Sequence, residues 1–254
     1  MSFPNTIQGA YAAAFDVGTV KLYALGQRME TPGGRIYRYA EMGANVGVAA
    51  NLYESETPSA QNEAMDITTA ITTLVTTQVS YTLGTVAHVE NEFKEGYVIV
   101  EETDDLGEVH RIAGSTTAPA NGTGTLFLYP GDVFQVTVAV AAGSNVVTLI
   151  ANPYRNIVIS PASQPTAFTC GVASNLIAAN GFGWIQTHGV ASCLTDGTVI
   201  IGEEVRQSET IAGAVAALAY EEALDADVGP IGRVMEVAPT TDFGTYFLVL
   251  ESVG

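Results

Sequence analysis

Lysine is nearly missing from this chain: Lys21 and Lys94 are the only two in 254 residues. Lys and Arg together number 9 against 27 Asp and Glu, a formal net charge of −18. Binding to nucleic acid or to an anionic membrane needs basic side chains to neutralise phosphate, so this balance argues against both. Charge of either sign is scarce too, at 14%, well below the usual quarter or so. Cysteine is limited to Cys170 and Cys193, which make no disulfide framework and match no zinc-ligand spacing. They read as free, buried thiols in a protein assembled in a reducing cytosol, with a disulfide between the two left open. The first residues, Met1-Ser2-Phe3-Pro4-Asn5-Thr6, lack the basic stretch and apolar run of a signal peptide. Val136 to Val140 and Val146 to Ala151 are the apolar runs, broken by Gly143-Ser144-Asn145. Both are too short to span a bilayer.

What is present suits sheets. Hydrophobic residues make up 47%, enough for a core. Gly, Pro, Asn and Asp recur between short β-branched runs, the signature of a sandwich or barrel. The expected fold class is all-β: short antiparallel strands in one or more sandwich or barrel modules with little helix. Strands are read at Lys21 to Gly26, Arg35 to Ala40, Tyr97 to Glu101, Glu108 to Ala113 and Thr125 to Tyr129. Others are read at Val133 to Val140, Asn145 to Ile150, Ile231 to Val237 and Thr245 to Leu250, with Ile211 to Ala216 a strand or a loose apolar segment. One or two more lie in the threonine-rich stretch Ala64 to Thr85, where β-branching disfavours helix. Gly9 to Ala14 reads as a short helix or an arm, either laced onto a neighbour or poorly ordered. Polar stretches near 55–65 and 160–168 divide the chain into 1–60, an N-terminal arm and β segment, 61–162, a middle β domain, and 163–254, a C-terminal β domain. No fixed-period repeat is read.

The densest information lies between Thr148 and Gly202. Trp184, the single tryptophan, anchors a short strand between glycines. Asp196-Gly197 suits a two-residue hairpin turn, with Val199-Ile200-Ile201 as the return strand.

Reactive chemistry is thin. Cys170, His188 and Asp196 have the residue types of nucleophile, base and orienter, yet no nucleophile signature surrounds Cys170, and a structural role is preferred. Glu101, Glu102, Asp104, Asp105 and Glu108 crowd a hairpin tip, and Glu221 to Asp227 form a second acidic loop. Neither has the ligand order of an EF-hand loop, so both read as solvated loops. Gly181-Phe182-Gly183 opens no helix and cradles no phosphate. Trp184, Tyr97, Tyr129, Phe127 and Phe247 read as core rather than sugar-stacking aromatics. No catalytic residue, cofactor or metal site is assigned. Arg35, Arg38, Arg155 and Arg233 are candidate intersubunit contacts, because a planar guanidinium pairs bidentately with carboxylates; ordinary surface pairing is the alternative.

Several segments resemble those of virion structural proteins of tailed bacteriophages, in particular head decoration (cement) proteins. They are Gly34-Arg35-Ile36-Tyr37-Arg38-Tyr39-Ala40 with Gly43-Ala44, and Leu83-Gly84-Thr85 leading to Asn91-Glu92-Phe93 and Gly96 to Val100. Asn152-Pro153-Tyr154, Gly183 to Gly189 and Asp196-Gly197-Thr198 with Gly202 complete the set. The resemblance spans residues 34–202. It implies a β-rich protein, a homotrimer, on the outer capsid surface of the virion, with the major capsid protein as partner and no catalytic residues. A receptor-binding (host glycan) module of a tail or fibre is the alternative, and a hydrolase using Cys170 ranks last.

Overall fold

The computed structural model describes residues 5–101, 107–218 and 229–251. Among these the regular structure is nearly all strand, with two 3-10 turns, at Tyr11–Phe15 and Ala60–Asn62. The all-β reading holds. Two compact units arise: 58–152, and 1–57 together with 153–254. This differs from a division into 1–60, 61–162 and 163–254. The first and last of those segments belong to one unit, because β3 (Ile36–Glu41) pairs along β13 (Phe182–Thr195). The middle unit is an insertion.

The larger unit contains two small barrels that share β13. Barrel A runs β3, β13, β12 (Thr169–Ala173), β4 (Leu52–Glu54) and β11 (Val158–Ile159). A parallel bridge from Ile157 back to Met42 closes it. Its interior holds Ala40, Met42, Tyr53, Ile157, Cys170 and Ile185. Barrel C runs from the second half of β13 through β17 (Phe243–Val249), β16 (Gly232–Glu236), β14 (Glu204–Gln207) and β15 (Ala214–Ala217), which pairs in parallel with β13 again. Its interior holds Cys193, Val199, Val205, Val215, Tyr246 and Leu248. The register shift between Gln186 and His188 marks where β13 passes from one barrel to the other. A bulge bends and twists a strand, which lets one strand serve two closed sheets.

The inserted unit is barrel B: β6 (Gln78–Thr82), β9 (Thr123–Leu128), β8 (Glu108–Ser115), β7 (Tyr97–Glu101), β10 (Val146–Ile150) and β5 (Met65–Asp66) in closed order. An antiparallel bridge from Ile67 to Tyr81 completes the circle. Tyr81, Phe93, Val98, Val100, Ile112, Leu126 and Phe134 fill it. Alternation is clean here: in Tyr97-Val98-Ile99-Val100-Glu101 only Val98 and Val100 face inward. Closure removes the open edges on which sheets aggregate.

The three barrels repeat one motif. A turn enters a strand whose second residue is a glycine, and that glycine faces the neighbouring strand in the same register: Gly183 opposite Ala40, Gly124 opposite Tyr81, Gly244 opposite Cys193. Each turn places one residue in the left-handed region: Asn180 (φ 54°), Asn121 (φ 56°) and Thr241 (φ 67°). The following carbonyl accepts at 2.8 Å from Met42, Leu83 and Thr195 respectively. Residues 118–128 and 238–248 are identical at six of eleven positions, Ala-Pro, Gly-Thr and Phe-Leu. The repeat has no fixed period because the segment that forms barrel B is inserted in the sequence of the unit that holds barrels A and C.

Several expected elements take other forms. Val199 to Ile201 form no return strand: Val199 plugs barrel C while Ile200 and Ile201 are exposed. Lys21 to Gly26 and Val133 to Val140 form no strands either. Phe134 and Val138 are buried in barrel B from a loop that makes a single bridge, Val138 to Ile71. Glu102, Asp104, Asp105 and the acidic loop Glu221 to Asp227 lie outside the described residues.

Candidate functional site

The three residues of a nucleophile set are not brought together. Cys170 lies in the interior of barrel A, where burial pushes its thiol far above the ordinary range. Cys193 lies in barrel C, its thiol pushed up to about 12 by the same cause. Both are free and buried, and a protonated, enclosed thiol is a poor nucleophile. His188 donates from Nδ1 to the Glu251 carbonyl at 2.8 Å and packs edge-on to Phe247. Asp196 accepts from Ser208 Oγ (2.6 Å) and Thr210 Oγ1 (2.5 Å), which fixes the loop after β13.

The four arginines divide. Arg38 donates to both carboxylate oxygens of Glu251, at 2.5 and 3.1 Å, and to the Gly26 carbonyl. Arg28 (3.2 Å) and Thr187 Oγ1 (2.9 Å) join the same carboxylate. Glu251 is therefore a clasp that ties the end of the described chain to β2 (Arg28–Glu30) and β3. Arg155 pairs with Glu56 at 3.0 Å, beside Asn156, which donates to the other oxygen. That pair closes the neck where the chain leaves for barrel B and returns. Both arginines are spent inside the chain. Arg35 is half-buried and has no carboxylate partner among the described residues. Arg233 is 64% exposed and touches Glu204 at 3.1 Å, a solvated pair worth little.

Glu108 is not a solvated tip residue. Its Oε1 lies 2.6 Å from His110 Nε2 and accepts from the Gln135 N–H at 2.5 Å. Asp132 Oδ1 faces His110 Nδ1 at 2.8 Å, and Phe134 sits edge-on to the ring. The set staples β8 to the loop that plugs the barrel. Among the described residues no group of three or more His, Cys, Asp or Glu is placed to hold a metal ion. A pocket of about 240 Å³ is lined by Phe168, Pro230, Ile231 and Leu250, smaller than the roughly 300–1,000 Å³ of small-molecule sites.

The outward faces of the sheets are more telling. Trp184 is buried, but Tyr97, Phe127 and Phe247 are not core: they are 37, 40 and 39% exposed. Each occupies the outward position of an alternating strand. On barrel B the register aligns Ile150, Tyr97 and Arg111 across three strands, and the Arg111 guanidinium stands 5.5 Å from the Tyr129 ring. Val109 and Phe127 extend the patch. On barrel C, Val190 pairs with Phe247 and Phe243 lies opposite Leu194; Val190, Phe243, Phe247 and Val249 are all exposed. Rigid sheet faces carrying aromatic, aliphatic and Arg side chains have the composition of protein-docking surfaces. Alternation identifies these positions in the sequence, but which side of a strand faces inward follows only from barrel closure. Compared with known protein families, characterised proteins and solved structures, the chain matches none.

Proposed function

We propose that this chain is a structural protein of a tailed-phage particle, a head decoration protein on the outer capsid surface that bridges major capsid proteins and stabilises the DNA-filled shell. One observation carries the reading: the patch of Tyr97, Arg111, Phe127 and Ile150 on the outside of barrel B. A closed barrel needs no such residues outside for its own stability. Tyr and Arg dominate the energetics of protein interfaces, since they bring large contact area and directional bonds together. The acidic, lysine-poor composition supports an exterior position, away from packaged nucleic acid. Clamping by several tethered copies multiplies modest contacts through avidity.

The test is particle stability. Particles stripped of the protein should release DNA at lower temperature than decorated ones, and added wild-type protein should restore the difference. Phe127→Glu and Tyr97→Ala chains should restore it poorly. Identical release curves with and without the protein reject the cementing role. Binding of the isolated chain to host glycans, with no affinity for particles, replaces it with a receptor-binding role.

A further inference from the structure

We propose that the outer face of barrel C is the docking surface for the N-terminal segment of a second copy of this chain. The internal repeat carries the argument. In barrel A the outer face of the strand pair shows Tyr37, Tyr39, Phe182 and Trp184, and these are packed under the chain's own Ala14, Leu25 and Met29. Phe182 stacks on Tyr39, and Tyr39 meets Trp184 edge-on. The register-equivalent residue to Phe182 in barrel C is Phe243: the first faces Glu41, the second Leu194, each one step before the shared glycine. Phe243 is 52% exposed, and Val190, Phe247 and Val249 beside it are exposed as well. Among the described residues, barrel C has the apolar face but not the cover.

The segment that covers barrel A is itself apolar on its far side. Tyr11, Phe15, Val17, Val20 and Leu22 are all exposed within twelve residues. The nine side chains are 39–72% exposed; with the usual 150–250 Å² for an aromatic and somewhat less for an aliphatic, the two patches together offer about 800 Å², the size of a weak contact that flanking polar residues extend. Their charges are complementary. Asp16 stands exposed between Phe15 and Val17. Arg233 lies opposite Phe247 in the ladder, exposed apart from its solvated contact with Glu204. The contact joins two different patches, so it is heterologous and closes into a ring when the rotation between copies permits. A net charge of −18 per chain opposes it, and screening relieves that opposition, so association strengthens with salt.

This inference is independent of the head-decoration reading, which uses the face of barrel B. Analytical ultracentrifugation of the full chain should show a concentration-dependent oligomer, tighter as salt rises. Phe247→Glu should weaken it at least tenfold with an unchanged far-UV spectrum. Asp16→Arg, at a side chain that is itself exposed, should do the same. Asp16→Arg mixed with Arg233→Asp should restore association that neither single variant shows. As a geometric check, Asp16→Cys chains mixed with Arg233→Cys chains should cross-link under mild oxidation. Cross-linking by Arg233→Cys chains alone to the same extent would overturn the proposal in favour of face-to-face pairing. A wild-type chain that stays monomeric at about 100 μM and high salt overturns it outright, since linkage should populate the oligomer there. Particle binding measured beside these variants separates the two readings: loss of self-association with decoration retained refutes neither the shell role nor barrel B.

Discussion

Barrels B and C solve one packing problem with a tyrosine from opposite strands. In barrel B the ring of Tyr81, on the neighbouring strand, lies against Gly124: a Cβ there would stand 2.7 Å from Tyr81 Cζ. In barrel C the neighbour is Cys193, and the ring comes from Tyr246, two residues along the same strand, with its hydroxyl 2.8 Å from a Cβ on Gly244. In both, the phenol is buried and hydrogen-bonded, to His88 in one and to Thr195 Oγ1 in the other. Barrel A needs no ring; Ile177 covers Gly183. What is common to all three is the bare backbone under a bulky side chain, a known device for bending a closing sheet. The strand that supplies the side chain is free to change.

Removing the ring should therefore cost most. Tyr81→Ala and Tyr246→Ala each empty a core site and orphan a polar partner, and we expect about 3–5 kcal/mol from either by denaturant unfolding. If one is tolerated at below about 1 kcal/mol, the two rings are not equivalent in the sense argued. Next in size, Gly124→Ala and Gly244→Ala should each lose about 1–3 kcal/mol through overpacking against the ring. The second change should relax in a Tyr246→Leu background, which thermal melts of the double variant would read.

A smaller effect separates the barrels by pH. His88 in barrel B accepts at Nδ1 from Tyr81 and donates at Nε2 to Asn62 Oδ1, at 3.2 and 3.0 Å. That pairing requires a neutral ring, and burial lowers its pKa, with Glu92 acting in the opposite direction. The unfolded chain then binds more protons than the folded one below the ordinary histidine value of about 6.5, so stability is full above it and lost as pH falls below it. Barrel B amides should lose protection on acidification, relative to the intrinsic exchange rate at each pH, while those of barrel C follow only the common trend. Equal loss of protection in both, or none in barrel B, removes the assigned role of His88.

Much of this was legible and some was not, for physical reasons. Tyr97 to Glu101 and Glu108 to Ala113 announce a hairpin because two alternating runs flank a short stretch with Asp104, Asp105 and Gly107, and the two strands do pair. Val133 to Val140 alternates as well, yet forms a loop: Phe134 and Val138 enter the core, and the only bridge among the described residues of the stretch joins Val138 to Ile71. Alternation reports that every second side chain is buried, not that the backbone is paired. Gly189 looked like an end and is the interior of a 14-residue strand, at φ 87°. The insertion was invisible because the residues that close barrel A, Met42 and Ile157, are far apart in the chain. The repeated Ala-Pro…Gly-Thr…Phe-Leu was readable, but only to a comparison that ignores period. Of the candidate contact residues, Arg38 and Arg155 could not be assigned from sequence, since Glu251 and Glu56 reach them only through the fold.

The finest test of the repeat is a single exchange at the left-handed turn position. Two barrels place asparagine there, Asn121 and Asn180, and the third places Thr241 at φ 67°. A β-branched residue in that region pays a steric cost of about 1–2 kcal/mol that asparagine largely escapes. Thr241→Asn should therefore stabilise the chain by about 0.5–1 kcal/mol, raising Tm by roughly 2 °C. The converse, Asn121→Thr, should lower stability by a similar amount, because its turn closes with the equivalent bond: the Gly122 N–H donates to the Pro119 carbonyl at 2.9 Å, as the Asp242 N–H does to the Pro239 carbonyl at 3.0 Å. Opposite signs of like size would show that the two turns share energetics as well as geometry. A neutral Thr241→Asn beside a destabilising Asn121→Thr would mean that Asp242, which accepts from the Phe243 N–H at 2.8 Å, already relieves the third turn in a way glycine at position 122 does not.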